Sequence, residues 1–360
     1  MRILWFNWRD IRNPEAGGAE VYTHEVARRL VERGHEVTLF AAGFRGCVRE
    51  EVVDGVRVVR SGGRMSVYLR ARGFYRRDSA WDVVVDEINT LPFLTPRFAD
   101  RSRVVALIHQ LAREFWLYET PFPISLIGYH FLEDFMLSHY RELPTITVSE
   151  STKLDLERIG FRRVFIVPNG VDIEPVDDLP EKSERPTIIF LGRMKRAKRP
   201  QDVVEAFRLV KREVGDAQLW MVGDGYLRRR LEGRGKGVRF FGYVDRKTRE
   251  MLLRRAWLIA VPGVREGWGQ VVTQANALAT PAVGYDIPGL RDSIRHGYNG
   301  LLVDGGDIHA FAEAMVRLLT DDELRVRLSR NAIEWARRFS WDKSAEEFER
   351  VILNMHEVQE

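Results

Sequence analysis

Short apolar runs alternate with amphipathic stretches along most of the chain. Residues 2–8 read as a buried strand, and the loop 9–18 leads into a helix with Ala19, Tyr22, Val26 and Leu30 on one face and Gly34 at its end. Further strand patterns fall at 36–42, 52–59, 83–86, 103–109, 145–148 and 164–167, with helical patterns between several of them. This alternation predicts a parallel sheet covered by helices on both faces. Residues 172–186 break it: three prolines and eight charged residues without apolar periodicity predict a linker. The alternation then resumes, with strands at 187–191, 218–222, 238–241 and 258–261 and helices at 201–213, after Gly225 and at 249–255. One Rossmann-like unit is used twice, and helices at 308–319, 322–338 and 341–356 close the chain.

Composition sharpens this only in places. At 360 residues and 45% hydrophobic content, two domains of ordinary size fit better than one. The net charge of +4 is a small difference between 56 basic and 52 acidic residues, so it names no partner. One cysteine, Cys47, excludes an internal disulfide and a cysteine-rich zinc site; it reads as a small buried hydrophobe in a cytoplasmic protein. No apolar run approaches the roughly 20 residues of a membrane span, and MRILWFNW lacks a signal-peptide core, so a soluble or peripheral protein is expected. Few Asn, Gln and Cys beside many Arg and Glu suggest a thermophile.

The richest stretch is VPGVREGWGQVVTQANALATPAVGY, residues 261–285. It reads as strand end, glycine-rich turn, helix and strand, with Gly267 and Gly269 flanking Trp268 where the helix opens. Free N–H groups at a helix start receive anions, and glycines let the backbone approach them. Glu266 and Gln274 lie eight positions apart, roughly 12 Å along the helix axis at the helical rise, a span that suits a nucleoside-diphosphate sugar. There is no G-x-G-x-x-G after the first strand, which argues against a dehydrogenase.

The stretch EGWG, followed by TPAVGYDIPGLRD, resembles the E-x7-E element of the retaining glycosyltransferases of family 4, with Gln274 where the family usually carries its second glutamate. The resemblance implies an α/β protein of GT-B architecture: two Rossmann-like domains facing a central cleft, with a C-terminal helix crossing back to the first. The boundaries expected are 1–171 for the acceptor domain, 172–186 for the linker, 187–339 for the donor-binding domain and 340–360 for the returning helix. It further implies a metal-independent hexosyltransferase using a nucleotide-sugar donor and no cofactor. Glu266 and His109 would meet the sugar, Arg193 and Lys198 of LGRMKRAKRP the diphosphate, and Gln274 the ribose. Gly192, Gly267, Trp268, Gly269 and Gln270 would line the donor, Tyr243 and Val244 of FGYV would hold the base, and Gly17 and Gly18 of GGAE would face the cleft. Lys195, Arg196 and Arg199 read as a solvated basic loop. Gln274→Glu, restoring the family residue, is expected to tighten nucleotide binding by roughly 1 kcal/mol.

A catalytically weak nucleotide-sugar-binding scaffold and a nucleotide-sugar 2-epimerase are the alternatives. The acceptor is expected to be a glycan, glycolipid or phosphorylated lipid precursor, with no nucleic-acid partner. Residues 64–77 hold Arg64, Arg70, Arg72, Arg76 and Arg77 and no acid, which suits an anionic membrane or a phosphorylated acceptor as well as a plain surface helix. The aromatic residues of 115–140, among them Trp116, Phe122, Phe131 and Phe135, are expected mostly in the core, with the loop ETPFP lining the acceptor site.

Overall fold

A computed structural model describes residues 1–78, 80–233 and 235–355. The chain forms two compact units. The first comprises Met1–Trp116, Phe122–Gly170 and the chain from Ser340; the second comprises Leu117–Pro121 and Val171–Phe339.

The first unit is built on eight strands: β1 (Arg2–Phe6), β2 (Glu36–Ala41), β3 (Glu50–Val53), β4 (Val56–Arg60), β5 (Val83–Glu87), β6 (Val104–Ile108), β7 (Thr145–Thr147) and β8 (Val164–Ile166). Their order is β3-β4-β2-β1-β5-β6-β7-β8. Central strands such as VVALI are apolar on both faces because helices cover both. Residues 52–59, expected as one strand, instead turn at Asp54-Gly55 into the antiparallel pair β3–β4. Both turn residues have positive φ, the geometry that suits a two-residue hairpin.

The helix Trp341–Asn354 packs on this unit, with Phe348 stacked on Trp5 at 5.0 Å. Glu349 accepts from His35 at 2.7 Å and pairs with Arg33 at 2.6 Å, tying it to the end of the helix Gly18–Glu32. His356, the last residue expected in this helix, lies outside the described residues. The helix Ser66–Tyr75 buries Val67, Ala71 and Tyr75 and turns Arg70 and Arg72 to solvent. Cys47 is half-buried, its sulfur accepting from the Phe44 N–H.

The aromatic stretch departs from expectation. Trp116 and Tyr140 are buried, but Phe122, Phe131 and Phe135 point outward.

The second unit has six parallel strands: β9 (Thr187–Leu191), β10 (Gln218–Val222), β11 (Val238–Gly242), β12 (Leu258–Val261), β13 (Ala282–Tyr285) and β14 (Gly300–Val303), in the order β11-β10-β9-β12-β13-β14. Its two faces bury separate cores, one around Phe207, Phe311 and Leu318 and one around Leu253, Val272 and Ile294. Residues 172–186 form no regular element, yet they belong to this unit and are held down on it. The Val176 N–H donates to the Ala277 carbonyl at 2.9 Å, and Lys182 Nζ donates to Thr280 Oγ1 at 2.8 Å. Among the described residues no helix is long and apolar enough to cross a membrane.

Candidate active site

In the second sheet β9 has β10 on one side and β12 on the other. The chain therefore winds away from β9 in both directions, and the loops leaving the carboxyl ends of β9 and β12 flank this switch point, the edge where ligands of parallel sheets bind. The loop after β9 carries Gly192, Arg193, Lys195 and Lys198; the loop after β12 carries Glu266 to Gly269. Backbone bonds set the first loop: Gly192 N–H to Val222 O at 3.0 Å and Met194 N–H to Asp224 O at 2.8 Å. The two loops join where the Val264 N–H donates to the Ala197 carbonyl at 3.0 Å. Beside that bond Lys198 Nζ pairs with Glu266 Oε1, so the expected diphosphate ligand and the expected sugar ligand meet directly.

Glu266 is also placed from below. Its N–H donates to the Pro288 carbonyl at 3.2 Å, and a Cβ on Gly289 would lie 2.0 Å from its carbonyl oxygen. Only glycine permits that approach, and at φ +82° only glycine adopts the backbone without strain.

The solvated reading of Lys195 does not hold. It is half-buried, and burial, aided by the nearby Lys198 and Arg193 cations, brings its ammonium down to about 8 against the opposing pull of Glu119 and Glu266. Lys195 thus belongs to the same charged cluster, which its place in a run of basic residues concealed. Arg199 is structural: it pairs with Asp202 at 2.7 Å and lies over Tyr285. Arg196 is exposed, with its N–H donated to Tyr226 Oη at 2.8 Å. Glu119 accepts from the Ala197 N–H at 2.9 Å and from Tyr226, which fixes the far side of the loop.

The helix after β12 runs Gln270–Ala277, with Gly269 at its N-cap in the left-handed conformation. Gly269 has no side chain to occupy the first N–H groups, as an anion site requires. Glu266 and Gly267 lie in the loop ahead of this helix, so the helical spacing of roughly 12 Å between Glu266 and Gln274 does not apply to them. Trp268 is packed inward at 4.8 Å from Phe339, leaving its backbone as the part that can meet a ligand. Gln274 is 8% exposed and commits one amide hydrogen: Nε2 donates to Asp172 Oδ1 at 2.8 Å, while Asp172 Oδ2 accepts from Arg249 at 2.9 Å. Asp172 lies in the stretch whose prolines and charges predict a linker. At the end of β11, Tyr243 is exposed and Val244 half-buried against the core.

In the first unit His109 follows β6, and Glu87 ends the neighbouring β5. His109 Nε2 lies 3.0 Å from Glu87 Oε1, and its ring packs edge-on to Tyr22. Glu87 is fully buried and also accepts from Trp5 Nε1 at 2.8 Å and from Thr23, so the imidazole is held by a fixed carboxylate. Gly17 and Gly18 open the helix Gly18–Glu32, but the Gly17 N–H is taken by Glu20 at 2.6 Å, which itself pairs with Arg9 at 2.9 Å.

Two doubly wound sheets, the second bearing a basic loop, a glutamate and a glycine-opened helix at its switch point, define a GT-B glycosyltransferase. Residues 16–175 match the model of Glycosyltransferase Family 4, and 174–335 match that of Glycosyl transferases group 1. A D-inositol 3-phosphate glycosyltransferase of Xylanimonas cellulosilytica is 30% identical over 390 residues, spanning 92% of this chain and 90% of that one. A phosphatidyl-myo-inositol mannosyltransferase of Mycobacterium leprae is 33% identical over 223 residues, 59% of each chain. In fold, the chain is similar to a sucrose-phosphate synthase of Thermosynechococcus elongatus, with TM-score 0.82 and 20% identity over 99% of this chain and 100% of that one. It is also similar to Anabaena HepE in complex with UDP-glucose, with TM-score 0.74 and 16% identity over 98% of this chain and 100% of that one. The chain belongs to glycosyltransferase family 4.

Proposed function

We propose that this glycosyltransferase moves a hexose from a nucleoside-diphosphate sugar to an acceptor hydroxyl with retention of configuration and without a metal ion. The observation that carries this reading is the Lys198–Glu266 pair at the carboxyl ends of β9 and β12, where a cation and a carboxylate stand beside a glycine-opened helix. Arg193, Lys195 and Lys198 bind the diphosphate and neutralise the charge that grows on it as it leaves. Glu266 accepts hydrogen bonds from the sugar hydroxyls. The bond from the anomeric carbon to the phosphate oxygen breaks, the bond to the acceptor oxygen forms on the same face, and the acceptor proton passes to the departing phosphate. The relatives are named for D-inositol 3-phosphate and phosphatidyl-myo-inositol, so a polyol phosphate and its lipid-linked form are the first acceptors to try.

The test is a panel of UDP- and GDP-sugars with these acceptors, in the presence of EDTA, with the product read by proton NMR. An α-linked product from an α-linked donor is expected. A β-linked product overturns retention, loss of turnover in EDTA overturns metal independence, and no donor consumption across the panel overturns the donor class.

A further inference from the structure

The segment Leu117–Pro121 belongs to the second unit and helps to enclose a cavity of about 450 Å³ there, within the roughly 300–1,000 Å³ of small-molecule sites. Tyr118, Glu119 and Thr120 line it from this segment, and Arg196, Tyr226 and Arg230 line it from the rest of the unit. Backbone contacts shape it. The Leu227 N–H donates to the Met194 carbonyl at 3.0 Å, and a Cβ on Gly225 would fall 2.5 Å from the same oxygen. The turn leading to Tyr226 and Arg230 therefore lies flat on the loop that carries Arg196, an approach that only glycine allows. Tyr226 Oη then joins the two sides, accepting from the Arg196 N–H at 2.8 Å and donating to Glu119 Oε2 at 3.2 Å.

Charge says what the cavity fits. In the short helix Arg228–Leu231, Arg228 takes both nearby acids, Asp224 at 3.3 Å and Glu232 at 2.7 Å, and leaves neither to Arg230. Among the described residues no carboxylate pairs with Arg230 or with Arg196, and both are exposed. Two unpaired guanidinium groups attract an anion, and their forked donors match a phosphate. Glu119 limits that anion, because its carboxylate repels a ligand of high negative charge. It also supplies what a polyol needs: beyond the Ala197 and Tyr226 donors, an exposed carboxylate keeps lone pairs for hydroxyl groups. Tyr118 and Tyr226 are exposed as well, and their rings offer apolar faces to the C–H side of a cyclic polyol.

The cavity and the donor site share the turn Arg196–Lys198. The Ala197 N–H donates to Glu119 at 2.9 Å, and the Ala197 carbonyl accepts from Val264 at 3.0 Å beside the Lys198–Glu266 pair. A ligand on Arg196 thus sits two residues from Lys198 along one fixed turn. We propose that this cavity binds the acceptor as a hydroxylated ring carrying one phosphate, with Arg196 and Arg230 on the phosphate and Glu119 and Tyr226 on the ring hydroxyls. Recognition of the acceptor phosphate thereby passes to residues 196–230, outside the 1–171 expected to hold the acceptor. The proposal rests on the glycosyl-transfer reading above.

The experiment is calorimetric titration of the full chain with inositol 3-phosphate and glucose 6-phosphate, with inositol and inorganic phosphate as controls. At least one phosphorylated ring is expected to bind more tightly than both controls. Arg196→Gln and Arg230→Gln should each weaken it roughly tenfold, the scale of one hydrogen bond to a charged group. The melting temperature should not change, since both side chains are exposed and unpaired, and UDP or GDP, whichever the wild type binds, should bind as before. Displacement of the bound ester by phosphatidylinositol micelles supports the site with a lipid-linked acceptor, and no displacement supports it with a free one. Inorganic phosphate binding as tightly as either ester overturns the proposal, as do variants that bind the ester as the wild type does. Turnover separates the two readings. A wild type that consumes donor, with an acceptor KM that neither substitution moves, overturns the site alone; a wild type that consumes no donor with any acceptor overturns the transfer reading beneath it.

Discussion

Gln274→Glu restores the side chain usual in the family, and the structure reverses the effect expected of it. The amide nitrogen of Gln274 lies 2.8 Å from Asp172 Oδ1. The substitution exchanges that donor for a carboxylate oxygen and sets two negative charges in contact at a buried position. Two unit charges about 4 Å apart interact with about 1 kcal/mol in bulk water and about 4 kcal/mol at an effective dielectric of 20. The lost hydrogen bond to a charged acceptor adds about 1.5–3 kcal/mol. Arg249, already 2.9 Å from Asp172, offsets part of the repulsion, so a net destabilisation of about 2–4 kcal/mol is expected. Protonation of one carboxylate relieves it, so the deficit should be present at neutral pH and shrink as the solution is acidified. Nucleotide binding should weaken, because residue 274 turns away from its partner.

Asp172→Asn in the same chain supplies an amide donor to the carboxylate introduced at position 274 and should recover most of the loss. Urea unfolding and calorimetric titration with the preferred nucleotide, on the wild type, both single variants and the double variant, measure the coupling directly. A Gln274→Glu protein as stable as the wild type, with tighter nucleotide binding, refutes the Asp172 contact and returns residue 274 to the role the family pattern implies.

Lys198→Ala should lower turnover by about 10²–10³, the scale of removing one donor aimed at developing charge, and steady-state kinetics with retained activity would take Lys198 out of the leaving-group site. Lys195 has its ammonium held down to about 8, chiefly by burial, and a bound diphosphate pulls it back up. Nucleotide binding should therefore take up a proton and weaken as pH rises through that value. Titrations in buffers of different ionisation enthalpy detect the uptake, and Lys195→Met should abolish it; a wild type without uptake removes Lys195 from the anion site. Gly289→Ala places a Cβ against the Glu266 carbonyl at a left-handed backbone position and should cost about 1–3 kcal/mol in chemical unfolding, whereas unchanged stability would mean that the loops do not meet as described.

What could be read from the chain was whatever local spacing encodes. Strands β9, β10 and β12 and their loops were legible because apolar runs end in Gly192, Gly223 and the Pro262-Gly263 turn. The β3–β4 hairpin carried its own signal in Asp54-Gly55, which the surrounding valines masked. Asp172 was hidden for another reason: it lies 102 positions from Gln274 and inside a stretch whose prolines and charges read as linker. Glu87 and His109 likewise stand 22 positions apart on separate strands, and no period links them. The outward aromatic stripe inverted a sound rule, since Phe131 and Phe135 follow helical spacing as a core face would. Spacing alone does not say which side of a helix a fold covers.

The Lys198–Glu266 pair sets a condition on what can bind. An anion that draws Lys198 away leaves Glu266, with its side chain only 13% exposed, without its cation. A buried carboxylate left unpaired costs several kcal/mol unless hydrogen-bond donors replace the partner. A nucleoside diphosphate brings acceptors for Lys198 but no donors beyond its terminal phosphate for Glu266; a diphosphate sugar brings both, its hydroxyls lying just beyond the phosphates. On the donor reading proposed above, the same pair would couple the two halves of the donor. Selectivity for sugar nucleotides over free diphosphates would then need no separate sugar pocket, because rejection of the incomplete ligand would be built into the contact that the complete one replaces.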